Sequence, residues 1–465
     1  MDNGNHHLPL GLGEVSFESI PDDALGGVAG DFVKTGGKDM LARWDAHQVW
    51  WDERLRHGLD PFGKRMQSRI APESRATFRD GSPAASGVNF ASHDSLNLSA
   101  HPAIHAAARQ AIEQFGVHSA GSAALMGDTA LAEALEQRIA RFLGYDDCTL
   151  FPTGWAAGYG IVKSLARPGD HIVMDVRAHA CLQGGARNSG AQVHRFPHLS
   201  TEAVLRRLSR IRAEAPDAGI LVVTESLFSM DSDTPDLIGL QSLCRQYQAA
   251  LLVGVAHDLG ALGASGRGHL GTQGMLGLAD VVMGSFSKSF ASNGGFVATN
   301  ARSLKLGLRC GYGPLLFSNA LSPVQAAIVL AAFDVVGSFE GEARRQRLMR
   351  NILRLREGLM TAGFQVKGEP SPIVPVLLGD PALARLITRY AIEAGALVNL
   401  IEAPAVSRNS NRWRLQVMAD HTPGQIDRMI EIAGQAREKA HTHAAALGLQ
   451  LETTDSVPEH RAALS

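Results

Sequence analysis

Between about residues 85 and 300, short apolar runs alternate with amphipathic stretches. "HIVMD", "GILVVTE", "ALLVGVAH" and "ADVVMGSF" read as strands, and "DTALAEALEQRIARFLG", "WAAGYGIVKSLA", "TEAVLRRLSRIRAEA" and "PDLIGLQSLCRQYQ" as the helices around them. Near-continuous apolar strands joined by helices predict a mainly parallel sheet covered on both faces, with its ligand at the carboxyl ends of the strands. After residue 320, "SPVQAAIVLAAFDVVGS" and "FEGEARRQRLMRNILRLREGLMTAG" predict two long helices, and "SPIVPVLLG", "DPALARLITRYAIEAGA", "NRWRLQVMA" and "TPGQIDRMIEIAGQAREKAH" a smaller α+β part. Upstream, residues 1 to about 37 are rich in Gly, Asp and Asn and lack periodicity, which predicts a mobile or loosely draped arm. "KDMLARWDAHQVWWDERLRHG" then predicts an amphipathic helix whose tryptophan face packs on the body or on a second subunit. The tail after about 445 is weakly patterned, and no internal repeat is present.

Composition narrows the class. A chain of 465 residues suggests two or three domains at ~150 residues each. With 45% hydrophobic and 19% charged residues and a formal charge of -2, it is globular and carries no general electrostatic case for nucleic acid or an anionic membrane. Cys148, Cys181, Cys244 and Cys310 are far apart, which argues against a disulfide framework or a zinc knuckle. "MDNGNHHLPLGLGEVSF" lacks a basic segment followed by an apolar run, and no uncharged apolar stretch approaches the ~20 residues needed to span a bilayer. The expected location is the cytoplasm.

The candidate chemistry lies where the predicted strands end. Thr153, Gly154 and Trp155 stand at a strand-to-helix turn whose free N–H groups suit a phosphate. Asp175 and His179, then Glu225, Ser229 and Asp231, then His257 and Asp258, then Ser285, Ser287 and Lys288 follow four further runs. A parallel sheet gathers such ends on one edge. Lys288 is flanked by Ser, Phe and Gly, a poor setting for a solvated charge. A lysine held among apolar neighbours can have a lowered pKa and act as an amine nucleophile. A Schiff base to pyridoxal phosphate needs such a lysine, a phosphate cradle and groups that hold the ring. "GLDPFGK" fits G-x-x-x-x-G-K, but Arg65 follows it and no apolar strand precedes it, so a P-loop is rejected.

From about Pro61 to Glu438 the chain resembles the α-oxoamine synthases, pyridoxal-phosphate enzymes of the type I aminotransferase fold. The motifs that carry the resemblance, in order, are "NFASHDSLNLSAHP", "GSAALMGDTALAEALE", "FPTGWAAG", "DVRAHACLQGG", "TESLFSMDSD", "VAHDLGALG", "MGSFSKSFASNGGF", "LLFSNALSP" and "RWRLQVMADHT". "FSKSFAS" looks most like the serine palmitoyltransferase branch. The resemblance implies an arm and helical segment over 1–84, a large cofactor-binding α/β domain over 85–335, a small α+β domain over 336–445 and a tail over 446–465. It implies that Lys288 forms the Schiff base and shuttles the α-proton, that His179 stacks on the ring with Ala256 beneath it, and that Ser229 and His257 lie near the phenolic oxygen. Gly154, Trp155 and Ser285 would hold the phosphate, Ser318 and Asn319 would reach the phosphate of a neighbouring subunit in a homodimer, and Arg414 would pair with the substrate carboxylate. The implied reaction joins a small L-amino acid to an acyl-CoA or acyl-carrier-protein thioester with loss of CO2, giving an α-aminoketone, without a metal.

One departure bears on the chemistry. The family pattern has aspartate where Gly254 stands in "LLVGVAHDLG", and that aspartate pairs with the pyridine nitrogen. Glycine cannot do this, and Asp258 is expected to lie out of reach. Gly254 is therefore compatible with a weakened site, with chemistry that needs a weaker electron sink, or with an active enzyme that tolerates the change. Ser95, Ala123 and Ala132 depart from frequent family residues on the acyl-thioester side. Two alternatives stand beside the condensing enzyme: another enzyme of this fold, an aminotransferase or decarboxylase, and a subunit that has kept the fold without catalysis.

Overall fold

The computed structural model describes residues 18–34, 36–59, 63–77, 85–311 and 313–449. At its centre lies a seven-stranded sheet. From one edge the order is Asp147–Phe151, Gly295–Thr299, Val281–Ser285, Ala250–Gly254, Ile220–Glu225, His171–Asp175 and Gln192–Phe196. Gly295–Thr299 runs antiparallel to both of its neighbours, and the other six strands share one direction. The expected mainly parallel sheet is present. Phe151, Asp175, Glu225, Gly254 and Ser285 therefore finish at one edge, and the reversed strand begins there at Gly295, opposite Phe151 and Ser285.

Side chains alternate across this sheet and divide into two cores. Val222, Leu251, Val253, Val282 and Phe296 join one cluster with Leu135, Ile139 and Phe333 from the helices on that face. Leu221, Val223, Leu252, Val281 and Met283 join the other with Ala157, Ile161, Cys181 and Leu182. These last four belong to helices Gly154–Leu165 and Ala180–Ser189. This alternation decides which strand-end side chains meet: Glu225, Gly254 and Met283 continue the second face.

The smaller C-terminal part carries the strands Gln365–Val366, Ile373–Gly379, Asn411–Gln416 and Leu400–Ile401 in one antiparallel sheet, backed by helices Pro381–Glu393 and Pro423–Ala446. A third sheet joins Arg65–Met66, Glu73–Thr77 and Ala85–Asn89 to Ala396–Leu397, so the segment before residue 90 is stitched to the C-terminal part.

The arm is more ordered than its composition predicts. Its described portion forms helices Asp22–Gly26 and Ala29–Phe32, and Ile20, Ala24 and Leu25 are buried. The following helix begins later than expected, at Asp45, and runs to Arg56. Met40, Leu41 and Trp44 are exposed, while Trp50 and Arg54 bury against the body. The physical reason is a buried ion cluster: Glu402 accepts from Arg54 at 2.9 Å and from Arg385 at 2.5 Å, and Arg385 also donates to the Ala24 carbonyl at 3.1 Å. Within the "GLDPFGK" stretch, positions 60–62 lie outside the described residues, as does the tail from 450.

Candidate active site

The strand Asp147–Phe151 turns directly into helix Gly154–Leu165. Thr153 caps that helix, its hydroxyl accepting from the Ala156 N–H at 3.0 Å. Gly154 is forced by close approach: a Cβ there would stand 2.4 Å from the Ser285 Cβ, and one on Gly295 would stand 2.6 Å from the Gly154 Cα. Absence of these side chains leaves a helix N-terminus beside the Ser285 and Ser287 hydroxyls, which lie 2.8 Å apart.

Strand Val281–Ser285 ends in the turn that carries Lys288. Phe286 and Phe290 are buried on either side of it, and the Phe286 ring stacks on Phe296 of the returning strand at 5.6 Å. The turn is thereby fixed to the core while Lys288 faces a cavity of about 280 Å³, lined also by Gly154, Trp155, His179, Glu225, Gly254, Ala256, His257 and Ser285. Burial holds the Lys288 amine below its ordinary pKa, and Arg414 pushes in the same direction.

His179 caps helix Ala180–Ser189, its Nδ1 accepting from the Cys181 N–H at 3.2 Å. Its ring packs edge-on against Trp155 at 5.9 Å. Burial, then the charges of Lys288 and Arg414, bring its pKa down to about 4, so the ring is neutral. His257 is buried and held well below its ordinary pKa by the same burial and by Lys288.

Of the residues singled out in the sequence, Gly154, Trp155, His179, Ala256, His257, Ser285 and Lys288 line this one cavity. Arg414, on strand Asn411–Gln416, lies close enough for its charge to act on Lys288, His179 and His257. Ser229, Ser318 and Asn319 do not line it. Ser318 donates to the Pro314 carbonyl, and Asn319 is 3.3 Å from His118 Nε2. Asp258 is fully committed elsewhere, accepting from the Ser226 hydroxyl and the His269 N–H at 2.7 Å each.

Two residues gain significance only in three dimensions. His93 accepts from Arg414 Nη2 at 2.8 Å, and its ring lies 6.1 Å from that of His257. Burial and the Arg414 charge depress its pKa to about 3, so it serves as a neutral partner that aims the guanidinium. Arg414 Nε is buried with no hydrogen-bond partner among the described residues. Glu225 is the second: its Oε1 takes the His179 N–H at 2.6 Å, and its carboxyl opens onto the cavity. In the sequence it is one polar strand end among several.

The residues fit pyridoxal phosphate on the structure's own terms. A helix N-terminus kept open by glycines, two hydroxyls, a neutral histidine ring and a lysine of lowered pKa converge on one cavity.

Comparison with known proteins agrees. The family described as aminotransferase class I and II matches residues 85–432. The 8-amino-7-oxononanoate synthase of Geobacter sulfurreducens is 37% identical over 380 residues, covering 82% of this chain and 93% of that protein. That of Klebsiella pneumoniae is 35% identical over 389 residues, covering 82% and 98%. Among solved structures, serine palmitoyltransferase from S. paucimobilis with a bound PLP–myriocin aldimine superposes with a TM-score of 0.81 at 29% identity, covering 87% of this chain and 100% of that one. The Sphingomonas wittichii serine palmitoyltransferase gives 0.80 at 28% identity, covering 87% and 99%.

The chain thus belongs to the aminotransferase class I and II family, with the type I pyridoxal-phosphate transferase fold, and within it to the α-oxoamine synthases. It is a pyridoxal-phosphate-dependent acyltransferase that condenses an amino acid with an acyl thioester and releases CO2.

Proposed function

We propose that this condensation takes place in the cavity at Lys288, with a small L-amino acid as first substrate and an acyl-CoA or acyl-carrier-protein thioester as acyl donor. The observation that carries the reading is the convergence of Lys288, the glycine-opened helix N-terminus and the neutral His179 ring on one space. Pyridoxal phosphate, when bound, supplies the electron sink for the charge left at Cα.

The roles of the chain's own residues follow. The N–H groups at Gly154 and Trp155, with the Ser285 hydroxyl, bind the phosphate. His179 and Ala256 enclose the ring, and His257 acts at its phenolic oxygen; Ser229, outside the cavity lining, takes no part. Lys288 Nζ is the amine that holds the cofactor and then moves the α-proton; its lowered pKa supplies the free amine this requires. Arg414, aimed by neutral His93, receives the substrate carboxylate.

A homodimer with shared sites is part of this proposal. Leu125, Met126 and Phe317 expose apolar side chains, on two segments joined by the Ala320 N–H to the Gly121 carbonyl. Exposed apolar groups of this kind, next to Ser318 and Asn319, suit burial against a second copy.

The test is amino-acid-dependent release of free thiol. Purified protein with pyridoxal phosphate is given acyl-CoA or acyl-carrier-protein thioesters together with glycine, alanine or serine. Thiol release that needs one amino acid and is lost in Lys288→Ala supports the reading. Release that is independent of amino acid, or that survives Lys288→Ala, contradicts it.

A further inference from the structure

Gly254 removes the acid that the family pattern places against the pyridine nitrogen, and the sheet register shows what stands in its place. Glu225 is the direct neighbour of Gly254 on the adjacent parallel strand, and Gly254 is the direct neighbour of Met283 on the next. All three side-chain positions lie on one sheet face and line the cavity that holds Lys288 and His179. A Cβ on Gly254 would stand 3.2 Å from Glu225 Cγ and 3.5 Å from Met283 Sδ. The Glu225 side chain therefore leans into the volume an aspartate at 254 would enter. Glutamate is one methylene longer than aspartate, and its Cγ already stands beside the position that a Cβ on residue 254 would take.

We propose that Glu225 has taken over the task of the missing aspartate: its carboxyl gives its proton to the pyridine nitrogen of bound pyridoxal phosphate and remains beside it as the carboxylate of an ion pair. The inference rests on the reading of the cavity as a pyridoxal-phosphate site. One proton moves, from a carboxyl oxygen of Glu225 to the nitrogen, and no other reactant is needed.

The state of the carboxyl before binding suits this task. Burial raises its pKa to about 8, and the charge of Asp175 on the neighbouring strand adds to this. The His179 N–H, Lys288 and His198 act in the opposite direction. Among the described residues no hydrogen bond reaches the carboxyl other than that from the His179 N–H. The carboxyl thus holds a proton before binding, and it becomes a donor because the pyridinium formed would stand beside the carboxylate and stabilise its charge. Asp258 does not compete, since Ser226 and His269 hold it.

A purely structural role, as the acceptor that fixes the His179 backbone, is the competing account. Glu225→Gln separates the two, because the amide oxygen still accepts the His179 N–H while the acid is gone. The readout is the ¹⁵N NMR signal of protein loaded with pyridoxal phosphate labelled at the ring nitrogen. The parent is expected to show a protonated nitrogen, E225Q an unprotonated one, and Gly254→Asp in the E225Q background a protonated one again. Glu225→Asp, whose acid is drawn back by one methylene, is expected to fall between parent and E225Q. An unprotonated nitrogen in the parent, or the same signal in parent and E225Q, overturns the proposal. If E225Q fails to fold, the parent and E225D spectra decide alone, identical signals in those two counting against it. A parent that takes up no cofactor through Lys288 would instead overturn the underlying reading of the site.

Discussion

Arg414 shows how much of the site rests on single side chains. Its guanidinium is held by a hydrogen bond to neutral His93 and keeps Nε buried without a partner among the described residues. Two-pronged capture of a carboxylate needs that planar fork, which lysine lacks. Arg414→Lys is expected to raise KM for the amino acid by roughly 10- to 100-fold, the worth of one charge-assisted hydrogen bond, with a smaller change in kcat and unchanged cofactor absorbance. Steady-state kinetics with the amino acid varied checks this; a KM within twofold of the parent counts against a carboxylate role. Lys288 is legible in the sequence because Ser, Phe and Gly are a poor setting for a solvated charge, whereas His179 is there only a polar strand end whose role the family resemblance implies. Glu225 is not, because its significance depends on which strand lies beside it. "VVTES" and "LLVGV" look unrelated until the register sets Glu225 against Gly254. His93 is hidden for the same reason, being 321 positions from the arginine it orients.

Elements hold these side chains through their ends, and one clamp makes this testable. His198 follows strand Gln192–Phe196 and bridges two carboxylates, with Nδ1 2.9 Å from Asp175 and Nε2 2.9 Å from Asp233. It joins the end of strand His171–Asp175 to the loop after strand Ile220–Glu225. Burial opposes its charge, but the two carboxylates outweigh burial and hold its pKa up to about 9. A pKa raised in the folded state means that the stabilisation is fully present below about 6.5, the unfolded value, and is lost as pH rises through about 9. Global stability should therefore fall by roughly 1–3 kcal/mol across that window, screening included. His198→Gln should lose most of this slope while being less stable than the parent at pH 6. Denaturant unfolding at pH 6, 7.5 and 9 measures it, and an equal slope in both proteins contradicts the clamp. Strands and helices of the central sheet are readable from periodicity because both faces are buried by helices. The loops between them are not, since His198, Asp175 and Asp233 meet only once three strands are in order.

At the scale of the whole molecule, the sheet of Arg65–Met66, Glu73–Thr77 and Ala85–Asn89 closes on Ala396–Leu397, and a buried ion cluster fastens the N-terminal helix to the C-terminal part. Glu402 serves two arginines, and its loss would leave both guanidinium groups buried and uncompensated. Glu402→Gln is expected to cost about 3–5 kcal/mol of stability, and a change below 1 kcal/mol in denaturant unfolding would show that the cluster does not fasten the two ends. This closure could not be read from the sequence, because the arm's polar composition suggests a free segment and its partners lie more than 300 residues away. Among the described residues no single helix is long and apolar enough to cross a membrane, and no group of His, Cys, Asp and Glu is placed to hold a metal ion. The sheet edge, the cavity and the family relationship meet in one claim, that the chain builds a carbon–carbon bond between an amino acid and an acyl group. Mass spectrometry of the product from amino acid, acyl thioester and pyridoxal-phosphate-loaded protein tests it most directly. The account predicts an α-aminoketone whose mass equals amino acid plus acyl thioester less CO2 and the free thiol, with one thiol released per product. A keto acid derived from the amino acid, or a simple amine without the acyl group, would contradict it.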